Sequence, residues 1–409
     1  MTRIDLAIQA HVDTQLIEAG AYTTLELLIS TGRLSYGDYE SWRRGEIEFL
    51  DDVLMGVREK IQAQIEEAAA YAAGIGLVVH TQEFHLWATQ PGDDTKALRS
   101  SADPALHRLI AARFVPAQSA PQMDLFFDNP VVALTNGIAR ALAARNLAEA
   151  QRQLDRLYAQ APNHADLAAF DRLTAALARL DQPIADAGQT LTFCLEITPT
   201  ARRLLGSQAR DLLTPLWLRL ADALNGRAYS DDAPNLHRSF ALSQAQEWAG
   251  VAASILAEPE WHRHAPLCLR LTHAGFYRQQ RIQALMAWYH LCWRHPDQAT
   301  HALDSREQRD AGIAATWTRF QDSDEGDHDI APSTGDFPAW MLLQEQGLAL
   351  QLPLDLPTAS SPGEERYREV HRWIHARRAQ HHDEELTLRR ALKASSPFLF
   401  RFLKRMVSA

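Results

Sequence analysis

Apolar residues recur at helical spacing along most of the chain. In the first 75 residues, and again between residues 129 and 320, they stand at i, i+3 and i+4, which places them on one face of a helix. Asn129 and Pro130 mark a helix start, because asparagine caps free backbone N–H groups and proline suits the first turn. Ser35 and Asp38 form a similar start. The pattern predicts a predominantly all-α fold.

One segment of the N-terminal third departs from this spacing. After Gly76, "LVVHTQEFHLWAT" is rich in β-branched and aromatic residues, "QPGDD" is a turn signal and "KALRSSAD" is suited to a return strand. The next apolar stretch, "PALHRLIAARF", indicates another short helix. We therefore expect a helical N-terminal domain that carries a small β-hairpin.

Two segments of the central region share their apolar, small and proline positions. "NLAEAQRQLDRLYAQAPNHADLAAF" contains Ala150, Leu154 and Pro162, and "RIQALMAWYHLCWRHPDQA" has the same offsets at Ala284, Trp288 and Pro296. "AGVAASILAEPEW" is a looser third copy. These segments resemble the second half of a tetratricopeptide repeat, although the first helices lack that family's usual Trp and Leu-Gly pair. The resemblance implies stacked helical hairpins over residues 129–320.

The chain is therefore expected to have five parts, separated by shifts in composition. They are a mainly helical N-terminal domain (1–118), a linker (119–128), the helical repeats (129–320), an acidic loop (321–338), and C-terminal helices with a basic amphipathic tail (339–409).

Composition narrows the functional class. The net charge of −10 argues against direct nucleic-acid binding. No apolar run is long enough to span a membrane, and the N-terminus lacks the pattern of a secretory signal. Three scattered cysteines in apolar surroundings are typical of buried thiols in a reducing compartment. We expect a protein of the bacterial cytoplasm.

Catalytic and metal-binding motifs are not found in the sequence. It contains no glycine-rich phosphate loop, no GxSxG and no HExxH. The acidic pairs Asp51-Asp52 and Glu66-Glu67 are adjacent, so we expect them on solvated helix faces. A zinc site on a helix needs ligands at i and i+3 or i+4. The histidines of one helical region do not have this spacing; they are His262, His264, His273, His290 and His295. No catalytic residue, metal or cofactor is assigned. The alternative is an enzyme whose site lies between the N-terminal domain and the repeats, with Asp38, Glu40 and His80 as candidates.

A short motif lies in the expected linker. Gln122, Met123, Asp124, Leu125 and Phe126 resemble the peptide by which bacterial replication and repair proteins bind the DNA polymerase sliding clamp. The resemblance implies that Gln122 supplies a hydrogen-bonding amide and that Leu125 and Phe126 enter an apolar pocket of the clamp. The alternative, which we favour, is that Phe126 and its neighbour pack beneath the first repeat helix.

The C-terminal tail has an amphipathic pattern that allows two interpretations. Phe398 and Phe402 share one face, and Arg401, Lys404 and Arg405 take the other. Such a helix suits an anionic membrane or the groove of a partner. The alternative, which we favour, is that the tail folds back and covers the open end of the repeats.

Stacked helical hairpins without a recognised catalytic motif favour a protein-binding scaffold or adaptor. The sliding clamp is one candidate partner. An enzyme with an unrecognised site and a membrane-surface protein remain the alternatives.

Overall fold

A computed structural model describes residues 6–87, 97–116, 130–305, 310–324, 333–352 and 361–408. Twenty α-helices and five short strands are found in these ranges, so the prediction of a predominantly all-α fold is confirmed. None of the helices within them is long and apolar enough to cross a membrane. The chain divides into two compact units, Met1–Ser254 and Ile255–Ala409.

The first unit contains the helices up to α12. They are α1 (Leu6–Ala19), α2 (Thr24–Ser30), α3 (Tyr36–Arg43), α4 (Arg58–Gly74), α5 (Pro104–Ile110), α6 (Pro130–Ala143), α7 (Leu147–Gln160), α8 (Leu167–Ala178), α9 (Ala187–Leu205), α10 (Ala209–Ala223), α11 (Arg238–Gln244) and α12 (Trp248–Leu256), which begins in this unit. The predicted start of α3 is present, since the Asp38 backbone N–H donates to Ser35 Oγ at 3.0 Å. The segment expected as a linker lies outside the described residues, and the elements on both sides of it belong to the first unit.

Five short strands accompany these helices. They are β1 (Tyr22–Thr23), β2 (Leu77–Thr81), β3 (Phe84–His85), β4 (Ala97–Leu98) and β5 (Ala112–Pro116). β3 pairs antiparallel with β4, in the segments expected to form the hairpin. β2 pairs instead with β5, which lies between β1 and β2 in a three-stranded antiparallel sheet. The prediction of a helix over "PALHRLIAARF" was wrong for the last residues of this segment. Ala112 and Phe114 belong to β5 and are buried in the sheet.

Helices also make up the second unit. They are α13 (Ala265–Tyr277), α14 (Arg281–Arg294), α15 (Pro296–Asp304), α16 (Ala311–Gln321), α17 (Phe337–Gln344), α18 (Pro362–Arg378), α19 (His382–Ser395) and α20 (Pro397–Ser408). Their shared core is aromatic and includes Trp288, Tyr289, Phe320, Trp340 and Tyr367.

Helices α13 and α14 approach each other closely at a glycine. A Cβ atom added to Gly275 would lie 2.7 Å from the backbone nitrogen of Ala284. Cβ atoms do not come this close to backbone, so the position has no room for a larger residue.

Four helical hairpins in the two units share one turn conformation. The residues Arg145, Gln246, Gln279 and Gln380 have φ angles of 54°, 61°, 57° and 58°. Each follows the first helix of its hairpin by two residues, and the second helix begins two residues later. The next residue donates its backbone N–H to the carbonyl five positions earlier, at 2.9, 2.9, 2.7 and 2.9 Å. This is the Schellman motif, in which the left-handed position usually holds glycine.

Candidate functional site

The proposed docking peptide lies outside the described residues. Gln122 to Phe126 fall between the end of β5 at Pro116 and the start of α6 at Pro130. Whether Leu125 and Phe126 are exposed therefore stays a prediction.

Asp38, Glu40 and His80 are not brought together. Asp38 accepts a hydrogen bond from Ser35 Oγ at 2.7 Å and is part of the N-terminal cap of α3. His80 is exposed on β2, opposite Arg113 of β5. Among the described residues no hydrogen bond or ion pair joins these three side chains. Glu40 belongs instead to a polar cluster that contacts the helical hairpins.

Arg145 is at the centre of this polar cluster. The left-handed turn between α6 and α7 directs its side chain toward α3 and α10. Its Nε donates to the carbonyl of Asp211 at 2.8 Å, and one terminal nitrogen donates to the Tyr36 hydroxyl at 2.7 Å. The other terminal nitrogen lies 2.8 Å from Glu40 Oε1, and the guanidinium carbon is 4.0 Å from the ring centroid of Trp87. One arginine thus ties α3 to the hairpin turn and to α10.

A second arginine, Arg43, extends the cluster on α3. It donates to the Tyr39 hydroxyl at 2.6 Å, and that hydroxyl donates to Asp211 Oδ1 at 3.0 Å. Arg43 also lies 3.8 Å from Asp211 Oδ2. The buried Asp211 carboxylate is therefore surrounded by donors from α3, as a buried charge requires.

Burial sets the protonation of these groups. It raises the pKa of Tyr39 well above its ordinary value, and the Asp211 carboxylate raises that pKa further. The pKa of Tyr36 is also raised by burial, against the opposing effect of Arg145. Both phenols stay protonated near neutral pH and act as hydrogen-bond donors or acceptors, with no nucleophilic phenolate. The arrangement is chemically suited to holding helices together.

A serine–histidine pair lies beside α5. Ser100 Oγ is 2.9 Å from His107 Nδ1, and the Ser100 backbone N–H donates to the same nitrogen at 3.2 Å. Ser100 is fully buried. Asp51 does not complete a triad, because its Oδ2 accepts from Ser101 Oγ at 2.8 Å and from Arg58 at 2.7 Å. Because the Ser100 Oγ is buried and the Asp51 carboxylate is engaged elsewhere, this pair does not have the arrangement of a catalytic triad.

The expectation that Asp51 lies on a solvated face was wrong. Its side chain is 4% exposed, because the loop that precedes α5 covers it and supplies Ser101 as a donor. Asp52 is exposed, as the pattern predicts.

Histidines of the second unit pack with tryptophans. The ring centroids of His262 and His290 are 5.2 Å apart, and His290 also contacts Trp261 and Trp293 edge-on. Burial, together with the neighbouring His262 and Arg294, lowers the pKa of His290 to about 4. Within the described ranges, no group of three or more His, Cys, Asp or Glu residues is placed to hold a metal ion.

The tail helix α20 packs on the core of the second unit. Phe398 is 2% exposed and meets Phe320 at a centroid distance of 5.7 Å, and the partly buried Phe402 meets Trp340 at 6.2 Å. Arg401 donates to the carbonyl of Ser323 at 3.2 Å, whereas Lys404 is exposed. The Arg405 side chain lies outside the described part. These contacts favour the covering role of the tail over a membrane or groove contact.

Sequence reasoning did not find the Arg145 cluster. Its members come from α3, the α6–α7 turn and α10, so that Tyr36 and Arg145 are 109 positions apart. No local spacing connects them. A non-glycine residue in the short turn between two helices, where glycine is usual, is the sequence signal that could have directed attention to Arg145.

The chain matches no protein-family model, no curated protein and no solved structure.

Proposed function

We propose that this protein is a helical-hairpin scaffold of the bacterial cytoplasm that binds another protein. The observation that carries the proposal is the recurrence of one hairpin turn at Arg145, Gln246, Gln279 and Gln380, which lie 101, 33 and 101 residues apart. A tetratricopeptide repeat is 34 residues long, so these intervals are close to one and three repeat lengths. Proteins built from such repeats use their extended surfaces to bind other proteins.

The three copies found in the sequence support the same conclusion. Each contains or follows one of these turns, and the position five residues after the left-handed residue is Ala150, Val251 or Ala284. All three are buried. At Ala284 the small side chain lets α14 lie close to Gly275 of α13.

Binding to the sliding clamp is a more specific form of this proposal and rests on the match of Gln122 to Phe126 alone. The tail α20 is not included among the proposed partner-binding surfaces, because Phe398, Leu399 and Leu403 are buried.

Reconstitution of a complex tests the scaffold function. The tagged full-length chain is used to recover proteins from its source cells, and each candidate is then purified and recombined with it. We expect a complex of defined stoichiometry in analytical ultracentrifugation. If every candidate fails to recombine, the scaffold proposal is overturned.

A further inference from the structure

The strand β2 forms one edge of the three-stranded sheet, and none of the described strands pairs with its outer side. Four of its five residues are exposed, with Val78 at 45% and Val79 at 57%. Residues 75–82 include no Asp, Glu, Lys, Arg or Pro. Proteins commonly place charged residues or proline on an edge strand, because these residues keep the open edge from pairing with another chain. The edge of β2 lacks this protection.

The hydrogen bonds between β2 and β5 have a definite phase. Gln82, directly after β2, donates its backbone N–H to the carbonyl of Ala111 at 2.8 Å, in continuation of the register of the two strands. At the other end of β2, Leu77 lies opposite Pro116, which has no N–H to donate. Gln82 is therefore in a hydrogen-bonded pair and Leu77 in a non-hydrogen-bonded one.

This phase determines which backbone groups point to the open edge. Hydrogen-bonded and non-hydrogen-bonded pairs alternate along antiparallel strands. Val78 and His80 therefore direct their backbone N–H and carbonyl groups toward β5. The remaining residues of β2, which are Leu77, Val79 and Thr81, direct theirs outward. The middle residue of the strand is thus one whose backbone is open to a partner.

We propose that β2 pairs antiparallel with β2 of a second copy of this chain, across a two-fold axis at Val79. The outward backbone groups of the two Val79 residues then form a hydrogen-bonded pair on the axis. The same register places Leu77 opposite Thr81 of the other copy, as a further hydrogen-bonded pair. On the other face of the sheet, Val78 meets His80. Every outward backbone group of β2 is used in this register, and two three-stranded sheets become one.

A second copy suits this edge because the strand is complementary to itself. Valine meets valine on the axis, and no pair in the register sets two like charges opposite each other. The chain has a net charge of −10, so two copies repel each other over most of their surfaces, and a strand without acidic residues is where they can approach. One strand pair is a small interface, so we expect a dissociation constant between about 1 µM and 1 mM. This inference does not depend on the scaffold function.

Charge substitutions on the axis test the dimer and its register. Val79→Lys sets two lysines opposite each other, and Val79→Glu sets two glutamates, so each variant alone is expected to raise the dissociation constant about ten-fold or more. An equimolar mixture sets lysine opposite glutamate and is expected to restore the dimer. Leu256→Lys is the control, because Leu256 is 49% exposed at the end of α12 and lies outside the sheet. Sedimentation velocity of the full-length proteins measures all four samples beside the natural chain.

Hydrogen exchange of the natural chain, followed by NMR, needs no substitution. The amides of Val78 and His80 are bonded to β5 in the monomer and in the dimer, so their exchange is expected to change little with protein concentration. The amides of Leu77, Val79 and Thr81 are bonded only in the dimer. Their exchange is expected to slow about ten-fold as the protein becomes mostly dimeric.

Several results would overturn the dimer inference. They are a natural chain that stays monomeric up to about 1 mM, a dimer that survives Val79→Lys, equal weakening by Leu256→Lys, or a mixture of the two Val79 variants that stays monomeric. Protection of the Leu77, Val79 and Thr81 amides at every concentration would also overturn it, because another part of the same chain would then cover the edge. If the Val79 variants do not fold, hydrogen exchange decides alone. None of these results bears on the scaffold function, which reconstitution with a partner tests separately.

Discussion

Arg145 has a backbone conformation that favours glycine and a side chain whose contacts glycine cannot make. Its φ is 54°, and three glutamines at equivalent turns have φ angles of 57–61°. Left-handed backbone costs a residue with a Cβ roughly 1 kcal/mol. At Arg145 this cost is offset by bonds to Glu40, Tyr36 and the Asp211 carbonyl.

The pair Arg145 and Gln246 gives the first prediction, because both residues lie in the first unit and have the same turn. Gln246→Gly removes the Cβ atom that disfavours the left-handed backbone conformation. It is therefore expected to raise the free energy of unfolding by about 0.5–1 kcal/mol.

Arg145→Gly removes the donor of the Tyr36 hydroxyl and of the Asp211 carbonyl. It also takes from Glu40 one of its two arginine partners and leaves Arg44. The substitution is expected to lower the free energy of unfolding by about 2–4 kcal/mol. Urea unfolding of the two variants measures both changes. If the free energy of unfolding rises in both variants, the Arg145 side chain does not stabilise the fold.

His290 gives a prediction on pH dependence. Its folded pKa of about 4 lies below the ordinary value of 6.5, so the unfolded chain binds the extra proton between these two values. The stabilising contribution of the neutral ring is therefore complete above pH 6.5 and is lost as the pH falls toward 4, by up to about 3 kcal/mol. His290→Phe keeps an aromatic ring between Trp261 and Trp293 and cannot titrate.

The measurement is urea unfolding at several pH values, followed by tryptophan fluorescence. We expect the variant to gain stability relative to the natural chain at each step from pH 7 to pH 4.5. Parallel curves for the two proteins would contradict the assignment, since all other titrating groups are common to both.

At the scale of elements, the close approach of α13 and α14 depends on Gly275. A methyl group there would meet the backbone of Ala284, which cannot move as a side chain can. Gly275→Ala is therefore expected to destabilise the second unit by about 1–3 kcal/mol, although alanine favours helix. Gly137→Ala on α6 is the control, because its nearest neighbour is the flexible side chain of Gln153 at 3.4 Å.

Thermal unfolding compares the two glycine variants. The midpoint should fall for Gly275→Ala and stay level or rise for Gly137→Ala, where the helix-favouring effect is not opposed. If the two substitutions have equal effects, the approach of α13 and α14 is looser than the structure indicates.

Some elements of the fold could be predicted from the sequence and others could not. The helices followed from apolar spacing and from caps such as Ser35, because these signals are local. The strand β5 was missed because "ARFVP" follows α5 directly and pairs with the distant strand β2. Val79, for example, lies opposite Phe114, 35 positions later in the chain. The Arg145 cluster was missed for the same reason of long-range pairing.

On the scale of the whole molecule, the repeated turn is found in both compact units. It ends α6 and α11 in the first unit and α13 and α18 in the second. The turns before α7, α12 and α14 precede the segments whose sequences resemble tetratricopeptide repeats. The turn at Gln380 was not predicted, because its second helix has Glu385 where the others have a small or apolar residue.

The last prediction concerns the segment that joins two ordered elements of the first unit. Thirteen residues separate Pro116 of β5 from Pro130 of α6, and Gln122 to Phe126 lie in the middle of them. Fully extended, such a segment spans about 40 Å, long enough to present five residues to a partner while both ends stay attached. If it docks on the sliding clamp, Leu125 and Phe126 are its apolar anchors and Gln122 sets its register.

Binding of the purified chain to the sliding clamp of its source organism is measured by calorimetry. Gln122→Ala is expected to weaken binding about ten-fold, and Leu125→Ala with Phe126→Ala to abolish it, because a few anchors carry most of the binding energy of a docked peptide. Phe127→Ala, one residue beyond the motif, is the matched control. The melting temperature separates the two interpretations of this segment. A docking peptide tolerates the double substitution without a fall, whereas an apolar plug beneath α6 would lose several degrees when two large side chains are truncated.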